Sequence, residues 1–193
     1  MNKPLVFATG NPNKVREVSQ ILGGSLNIVS MRDIGVTEEV PETSDTIAGN
    51  ALQKARYIAQ NYKVNCFSED TGLEISCLDG APGVHTARYG GPERDADANM
   101  NKVLEELVGQ MDRSAQFKTV IALIIDGKEY TFEGVCKGAI LRSRRGEGGF
   151  GYDPIFQPMG YDKSFAELSS TIKNSISHRG KAMEQLVAFL KTL

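Results

Sequence analysis

Residues 4–31, PLVFATGNPNKVREVSQILGGSLNIVSM, decide the fold. The run at 4–9 is short and apolar and reads as a buried strand. GNPNK at 10–14 interrupts it with turn chemistry. Val15, Val18, Ile21 and Leu22 then recur at helical spacing until Gly23-Gly24 stop the helix, and a second strand fits 26–31. Strand, turn, helix, strand is the opening of an α/β layer fold.

Outward from there, VTEEVPETS at 36–44 is acidic and contains proline, so it reads as a loop. Ser44 or Asp45 is placed to cap the next helix, which runs to about Tyr62 and turns Ile47, Ala51, Ala55 and Ile58 to one face. A strand near 64–68 leads into SEDTG at 68–72, which Gly72 lets turn, and LEIS at 73–76 reads as a further strand. DGAPGV at 79–84 is a loop. Residues 94–109 make a helix with Met100, Val103, Leu104 and Leu107 on its apolar side. Two long strands, 115–125 and 129–140, flank Asp126-Gly127, a strong hairpin signal. A glycine-dense loop at 146–151, a strand at DPIF (153–156) and a helix from about Ser177 to Leu190 complete the chain. No repeat or linker breaks it. The expectation is one domain over residues 1–193: a mixed α/β sheet with flanking helices, plus an antiparallel hairpin lobe.

Bulk properties narrow the partners. A net charge of −2, with 24% charged and 40% hydrophobic residues, gives no electrostatic case for nucleic acid or a membrane surface. Arg142, Arg144 and Arg145 cluster in a Gly-rich stretch that reads as a solvated turn. Cys66, Cys77 and Cys136 show no CxxC spacing, and His85 and His178 have no cysteine nearby, which argues against a disulfide framework and against zinc. Met1 to Phe7 shows no leader, and no segment approaches the ~18 apolar residues of a membrane span. The cytoplasm is the expected compartment.

Four polar blocks stand out because packing does not require them. Thr9-Gly10-Asn11-Pro12-Asn13-Lys14 ends a strand and opens a helix, where backbone N–H groups and the helix dipole hold anions. By itself it equally fits a capped turn with a surface lysine, and it is not a Walker loop. Ser68-Glu69-Asp70-Thr71-Gly72 offers two adjacent carboxylates. Both reach one hard cation only if the backbone turns there, because successive strand side chains point to opposite faces. Glu42 in the acidic loop adds a third carboxylate. In the third block, Gly146, Gly148 and Gly151 match GxGxxG literally, but no helix follows, which excludes the dinucleotide fingerprint. Phe150 among those glycines suits stacking on a base, and equally a flexible loop with a core ring. Fourth, Lys173 precedes Ser177-His178-Arg179-Gly180. Ser177 is a natural cap, and cations in the first turn behind it oppose the dipole unless an acceptor sits nearby.

Taken together, VFATGNPNKVREV, VPETSDTIAGNALQKA, SEDTGLEI followed by GAPGVHTARYGG, GGFGYDPIF and KNSISHRGKA resemble, in order, the inosine/xanthosine triphosphate pyrophosphatase family. The resemblance implies an elongated α/β fold of two lobes with the active-site cleft between them, usually a homodimer. It implies hydrolysis of ITP, dITP and XTP to the monophosphate and pyrophosphate with Mg²⁺. Thr9, Gly10, Asn11, Pro12, Asn13 and Lys14 would line the triphosphate, and Thr71 would touch substrate. Asp70 would be the general base, sharing Mg²⁺ with Glu42 and Glu69. Phe150, Gly151, Tyr152 and Asp153 would form the base pocket, with Lys173, His178 and Arg179 reading the base. Many members carry two aspartates and a serine where this chain has Glu69, Asp70 and Thr71. The related septum-formation family acts on other nucleotides, and GGFGYDPIF and SHRG favour the purine group. A nucleotide sensor or RNA-binding module without catalysis is the reading from another class. Against it, the carboxylates at 69–70 would repel phosphate unless a metal intervened.

Overall fold

The computed structural model describes residues 4–24 and 26–193; Met1–Lys3, part of the start read above, and Ser25 lie outside them. Along the chain run β1 (Leu5–Phe7), α1 (Pro12–Leu22), β2 (Ile28–Ser30), α2 (Ile47–Tyr62), β3 (Cys66–Ile75) and the two-residue β4 (Pro82–Gly83). Then follow α3 (Ala96–Glu106), β5 (Ser114–Ile125), β6 (Lys128–Ile140), β7 (Phe156–Pro158), α4 (Ser170–Ile176) and α5 (His178–Leu190). The strands are hydrogen-bonded in the order β2-β1-β3-β5-β6-β7, with β4 beside β3. β1 is parallel to β2 and β3, with Leu5 opposite Ile28 and Phe7 opposite Phe67. β4 and β7 add antiparallel pairings. The mixed α/β class is therefore the one the sequence implied. Two compact units divide the chain. One holds the chain up to Asp70, Thr119–Gly134 and Arg179–Leu193; the other holds Thr71–Lys118 and Val135–His178.

In the first unit, Phe7 stacks on Phe67 with ring centroids 4.5 Å apart, and Val18, Leu22, Ile121, Leu123, Met183 and Leu186 close the core around them. Each such buried side chain contributes about 1.5–3 kcal/mol by leaving water. α2 buries Ile47, Ala51, Ala55 and Ile58, as their spacing predicts. Its cap differs from expectation. Thr46, not Ser44 or Asp45, accepts the Gly49 N–H, at 3.0 Å, while Ser44 Oγ accepts one step earlier from the Thr46 N–H. Asp126 and Gly127 take φ of 49° and 76°, the paired positive values a two-residue hairpin turn needs. Asn65 braces that turn, its Oδ1 accepting the Asp126 N–H at 2.9 Å.

In the second unit, Leu73, Ile75, Met100, Val103, Leu107, Phe117, Ile140, Phe156 and Phe165 form the core, with Phe156 edge-on to Phe117 at 4.7 Å. Two local expectations change. DPIF begins as a 3-10 turn at Asp153–Ile155, and only Phe156 enters β7. α4 carries no apolar stripe to announce it, since Lys173 is its single buried residue.

Candidate active site

Strand alternation organises the first unit. The turn expected at SEDTG is absent, because β3 runs unbroken from Cys66 to Ile75. Side chains two apart therefore share a face. Cys66 Sγ donates to the Ala55 carbonyl and Ser68 Oγ to the Ala51 carbonyl, and Asp70 accepts from Lys54 Nζ at 3.2 Å; all three face α2. Glu69, one step out of phase, faces the other way, where Arg179 and Lys14 receive it. Adjacency in sequence thus separates the two carboxylates in space.

On the α2 face, Lys54 Nζ donates to both Asp70 and Glu42. Lys54 is 6% exposed. Burial lowers its ammonium pKa, but the charges of Asp70 and Glu42 win and raise it. α2 also fixes the acidic loop that carries Glu42. The Thr43 N–H donates to Gln53 Oε1 at 2.8 Å, Gln53 Nε2 returns a bond to Thr43 Oγ1 at 2.9 Å, and the Ser44 N–H donates to Asn50 Oδ1 at 2.8 Å. Sequence reasoning missed Lys54, Gln53 and Asn50. The signal was available, since all three sit among the apolar positions of an amphipathic helix beside a carboxylate-rich loop.

On the opposite face, Arg179 Nε and Nη2 donate to the Glu69 carboxylate at 2.8–3.1 Å, and Nη1 donates to Glu17. Lys14 Nζ lies 3.2 Å from Glu69 Oε1. Burial pushes the Glu69 carboxyl up, but Arg179 and Lys14 outweigh it and hold it at about 2. Burial pulls Lys14 down against the pull of Glu69. The acceptors that first-turn cations of α5 require are therefore Glu69 and Glu17. Arg179, expected to read a base, is committed to these two carboxylates and is 2% exposed.

The Thr9–Lys14 block forms the capped start of α1. Asn11 Oδ1 accepts from the Asn13 N–H at 2.9 Å and the Lys14 N–H at 3.4 Å, Thr9 Oγ1 accepts from the Asn11 N–H at 3.2 Å, and Pro12 occupies the first turn. The first-turn donors at Asn13 and Lys14, which an anion would use, are engaged here by the Asn11 side chain. The space beside Gly10 is open: a Cβ there would meet only Met31, at 3.9 Å.

In the second unit, Asp153 and Lys173 form a buried pair, Nζ to Oδ2 2.7 Å, and the same oxygen accepts the Phe150 N–H at 2.7 Å. A Cβ on Gly149 would sit 2.1 Å from that oxygen, so glycine there lets the carboxylate close the loop. Lys173 Nζ stands 5.1 Å from the centre of the Phe150 ring, within cation–π range. His178 lies flat against Phe117, centroids 4.6 Å apart. Tyr152 goes elsewhere. Its ring is in the core and its hydroxyl donates to the Thr86 carbonyl at 2.8 Å. Gly151 takes φ +62°, and Thr71 is half-buried in β3.

Among the described residues no three His, Cys, Asp or Glu side chains converge to hold a metal ion. Glu42 and Asp70 share one ammonium, two hard oxygen donors converging on one cationic position, which fits Mg²⁺ with its one or two protein carboxylates. Glu69, on the other face, does not join them. The expected three-carboxylate set is thus split by the pleat of β3.

A capped, lysine-bearing helix start, a carboxylate pair on an ammonium and an aromatic–lysine cluster are the equipment of a nucleotide-handling α/β protein. The sequence profile of the Ham1 family matches residues 5–189, and the chain belongs to that family. It is 53% identical to the dITP/XTP pyrophosphatase of Flavobacterium johnsoniae, over 96% of this chain and 97% of that one. It is 44% identical to the dITP/XTP pyrophosphatase of Bacillus subtilis, over 98% of each. The solved structure of the Staphylococcus aureus Ham1 protein superposes with a TM-score of 0.90 at 36% identity, covering 98% of this chain and 99% of that one.

Proposed function

We propose that the protein hydrolyses non-standard purine nucleoside triphosphates, ITP, dITP and XTP, to the monophosphate and pyrophosphate, clearing them from the nucleotide pool. The observation that carries this reading is the full-length relationship to proteins named dITP/XTP pyrophosphatase, at 44–53% identity. The charged groups of the first unit support this division of roles. NTP and water become NMP and pyrophosphate as the α–β anhydride breaks. Asp70 accepts the proton of the attacking water, work worth about 10²–10⁴ in rate. Lys54 holds Asp70 and Glu42 in register. These two carboxylates would hold Mg²⁺, which when bound offsets phosphate charge and lowers the pKa of water. Lys14, with Thr9, Gly10, Asn11, Pro12 and Asn13, receives the phosphates and meets the charge that moves onto pyrophosphate.

Phe150 stacks on the base, and Lys173, held on Asp153, donates to O6 of hypoxanthine or xanthine. Adenine presents an amino donor at that position, and two facing donors reject a substrate by large factors. We assign His178, Gly151 and Thr71 to contacts with the nucleoside, and Tyr152 to backing the pocket from the core. Among the described residues no helix is long and apolar enough to cross a membrane. We place the enzyme in the cytoplasm as a homodimer, which light scattering of the purified protein tests by mass. The decisive assay is pyrophosphate release from ITP, XTP and dITP with and without Mg²⁺. Orthophosphate as first product, or equal turnover of ATP and GTP, counts against the proposal.

A further inference from the structure

Glu69 is adjacent to the proposed base, fully buried, and on the wrong face of β3 to share its cation. Its carboxylate takes a fork of bonds from Arg179, 2.8–3.1 Å, and lies 3.2 Å from Lys14 Nζ. Arg179 is in turn braced by Glu17, one turn along α1 from Lys14. Two cations and two carboxylates thus meet where α1, β3 and α5 come together, with Lys54 and Asp70 within electrostatic reach of Lys14. We infer that Glu69 is a positioning residue for Lys14, not a metal ligand: through the Arg179 fork it fixes the height and direction of the lysine ammonium at the helix start that receives the phosphates. The inference rests on the phosphate-binding reading above.

The sign of the effect follows from two opposed consequences. A lysine released from its partner regains rotamer freedom, and a misplacement of about 1 Å in such a group costs about 10²-fold in turnover. Removing a negative charge a few ångströms from the phosphates also makes the site more cationic, so ground-state anion binding tightens or holds. Glu69→Gln therefore loses kcat without losing affinity. A cation ligand gives a different pattern, with loss of divalent affinity.

The test is titration calorimetry of the purified full chain with Mn²⁺ and, separately, with inorganic triphosphate, alongside steady-state ITP kinetics. The expected result for Glu69→Gln is a Mn²⁺ Kd within about twofold of the parent, a triphosphate Kd equal or lower, and kcat down about 10–100-fold. In a Lys14→Met background the same substitution should give no further loss, because the group it positions is gone. Glu69→Asp keeps the charge that Arg179 needs, so it folds even if Glu69→Gln does not. It should show a smaller kcat loss at unchanged Mn²⁺ affinity. A tenfold or greater rise in the Mn²⁺ Kd for either variant overturns the inference, as does additivity of the Lys14 and Glu69 losses. If the parent protein releases no pyrophosphate from ITP, the function fails on its own terms, while the two binding titrations still decide the role of Glu69.

Discussion

The charged cluster around β3 in the first unit and the ring cluster around Phe150 in the second handle charge in opposite ways. Around β3, Lys14, Lys54 and Arg179 are each met by carboxylates, Glu42 and Asp70 on one face, Glu69 and Glu17 on the other. Around Phe150, the buried Asp153–Lys173 pair lies beside the rings of Phe150 and Phe165. The difference teaches what each cluster can do. In the proposed function the first holds its cations and carboxylates in fixed places for phosphate and a metal ion. The second offers a flat ring and one oriented donor, which suits recognition. Substitutions in the first should therefore fall mainly on kcat and on the divalent requirement, and those in the second on KM.

The largest break in that comparison is Asp70→Asn. It keeps the shape and the contact to Lys54 but removes the proton acceptor, so kcat for ITP should fall about 10³-fold with the melting temperature little changed. Near-normal turnover would remove Asp70 from its role. Phe150→Ala should act in the other unit and on the other parameter. Loss of about 1–3 kcal/mol of stacking raises KM about 5–150-fold while kcat holds. A kcat loss at constant KM would erase the proposed division of labour.

How much of this the sequence made legible differs between the units for a physical reason. Helix periodicity and the Asp126-Gly127 turn placed α1, α2, α3, α5 and the hairpin closely. Gly72 allows a turn that the chain does not take, since the strand continues through it. Without that turn Glu69 and Asp70 cannot share the one cation that the resemblance gave them, because successive side chains of a strand point to opposite faces. α4 was illegible because its buried residue is Lys173, whose partner Asp153 lies 20 residues away and cannot be seen in local hydrophobicity. Lys54 was hidden in the same way, as a charged residue on a helix face otherwise read as apolar. The site motifs were legible as blocks. Their pairings were not, since Arg179 meets Glu69 across 110 residues.

A third prediction sharpens the charged side of the comparison through pH. The Glu69 carboxyl titrates at about 2 in the folded protein against an ordinary 4.5. A depressed carboxyl contributes stability above the unfolded value and loses it as pH falls toward the folded one. Urea denaturation of the parent protein should therefore show stability falling between pH 4.5 and 2, beyond the fall seen in Glu69→Gln. Parallel curves for the two would show that the carboxylate's pairing adds nothing to stability.

The smallest expected effect lies at the cap of α2, which touches no substrate. Thr46 Oγ1 satisfies the Gly49 N–H, and its loss costs about 1 kcal/mol, roughly a fivefold shift in the unfolding equilibrium. The ties that position Glu42 run through Asn50, whose N–H closes the first turn on the Thr46 carbonyl, and through Gln53 in the second turn of α2. Thr46→Ala keeps the Thr46 carbonyl that holds Asn50 and leaves the Gln53 ties in place, so it should lower stability while the Mg²⁺ requirement stays as it was. Gln53→Ala should reverse that pattern. It releases the loop at Thr43, raises the Mg²⁺ needed for half-maximal rate a few-fold, and lowers the melting temperature less than Thr46→Ala does, because both lost bonds are exposed and alanine, the better helix former, offsets part of their loss. If both variants moved stability and the Mg²⁺ requirement together, α2 would act as one rigid body, and the loop ties would have no separate role in holding Glu42 beside Asp70.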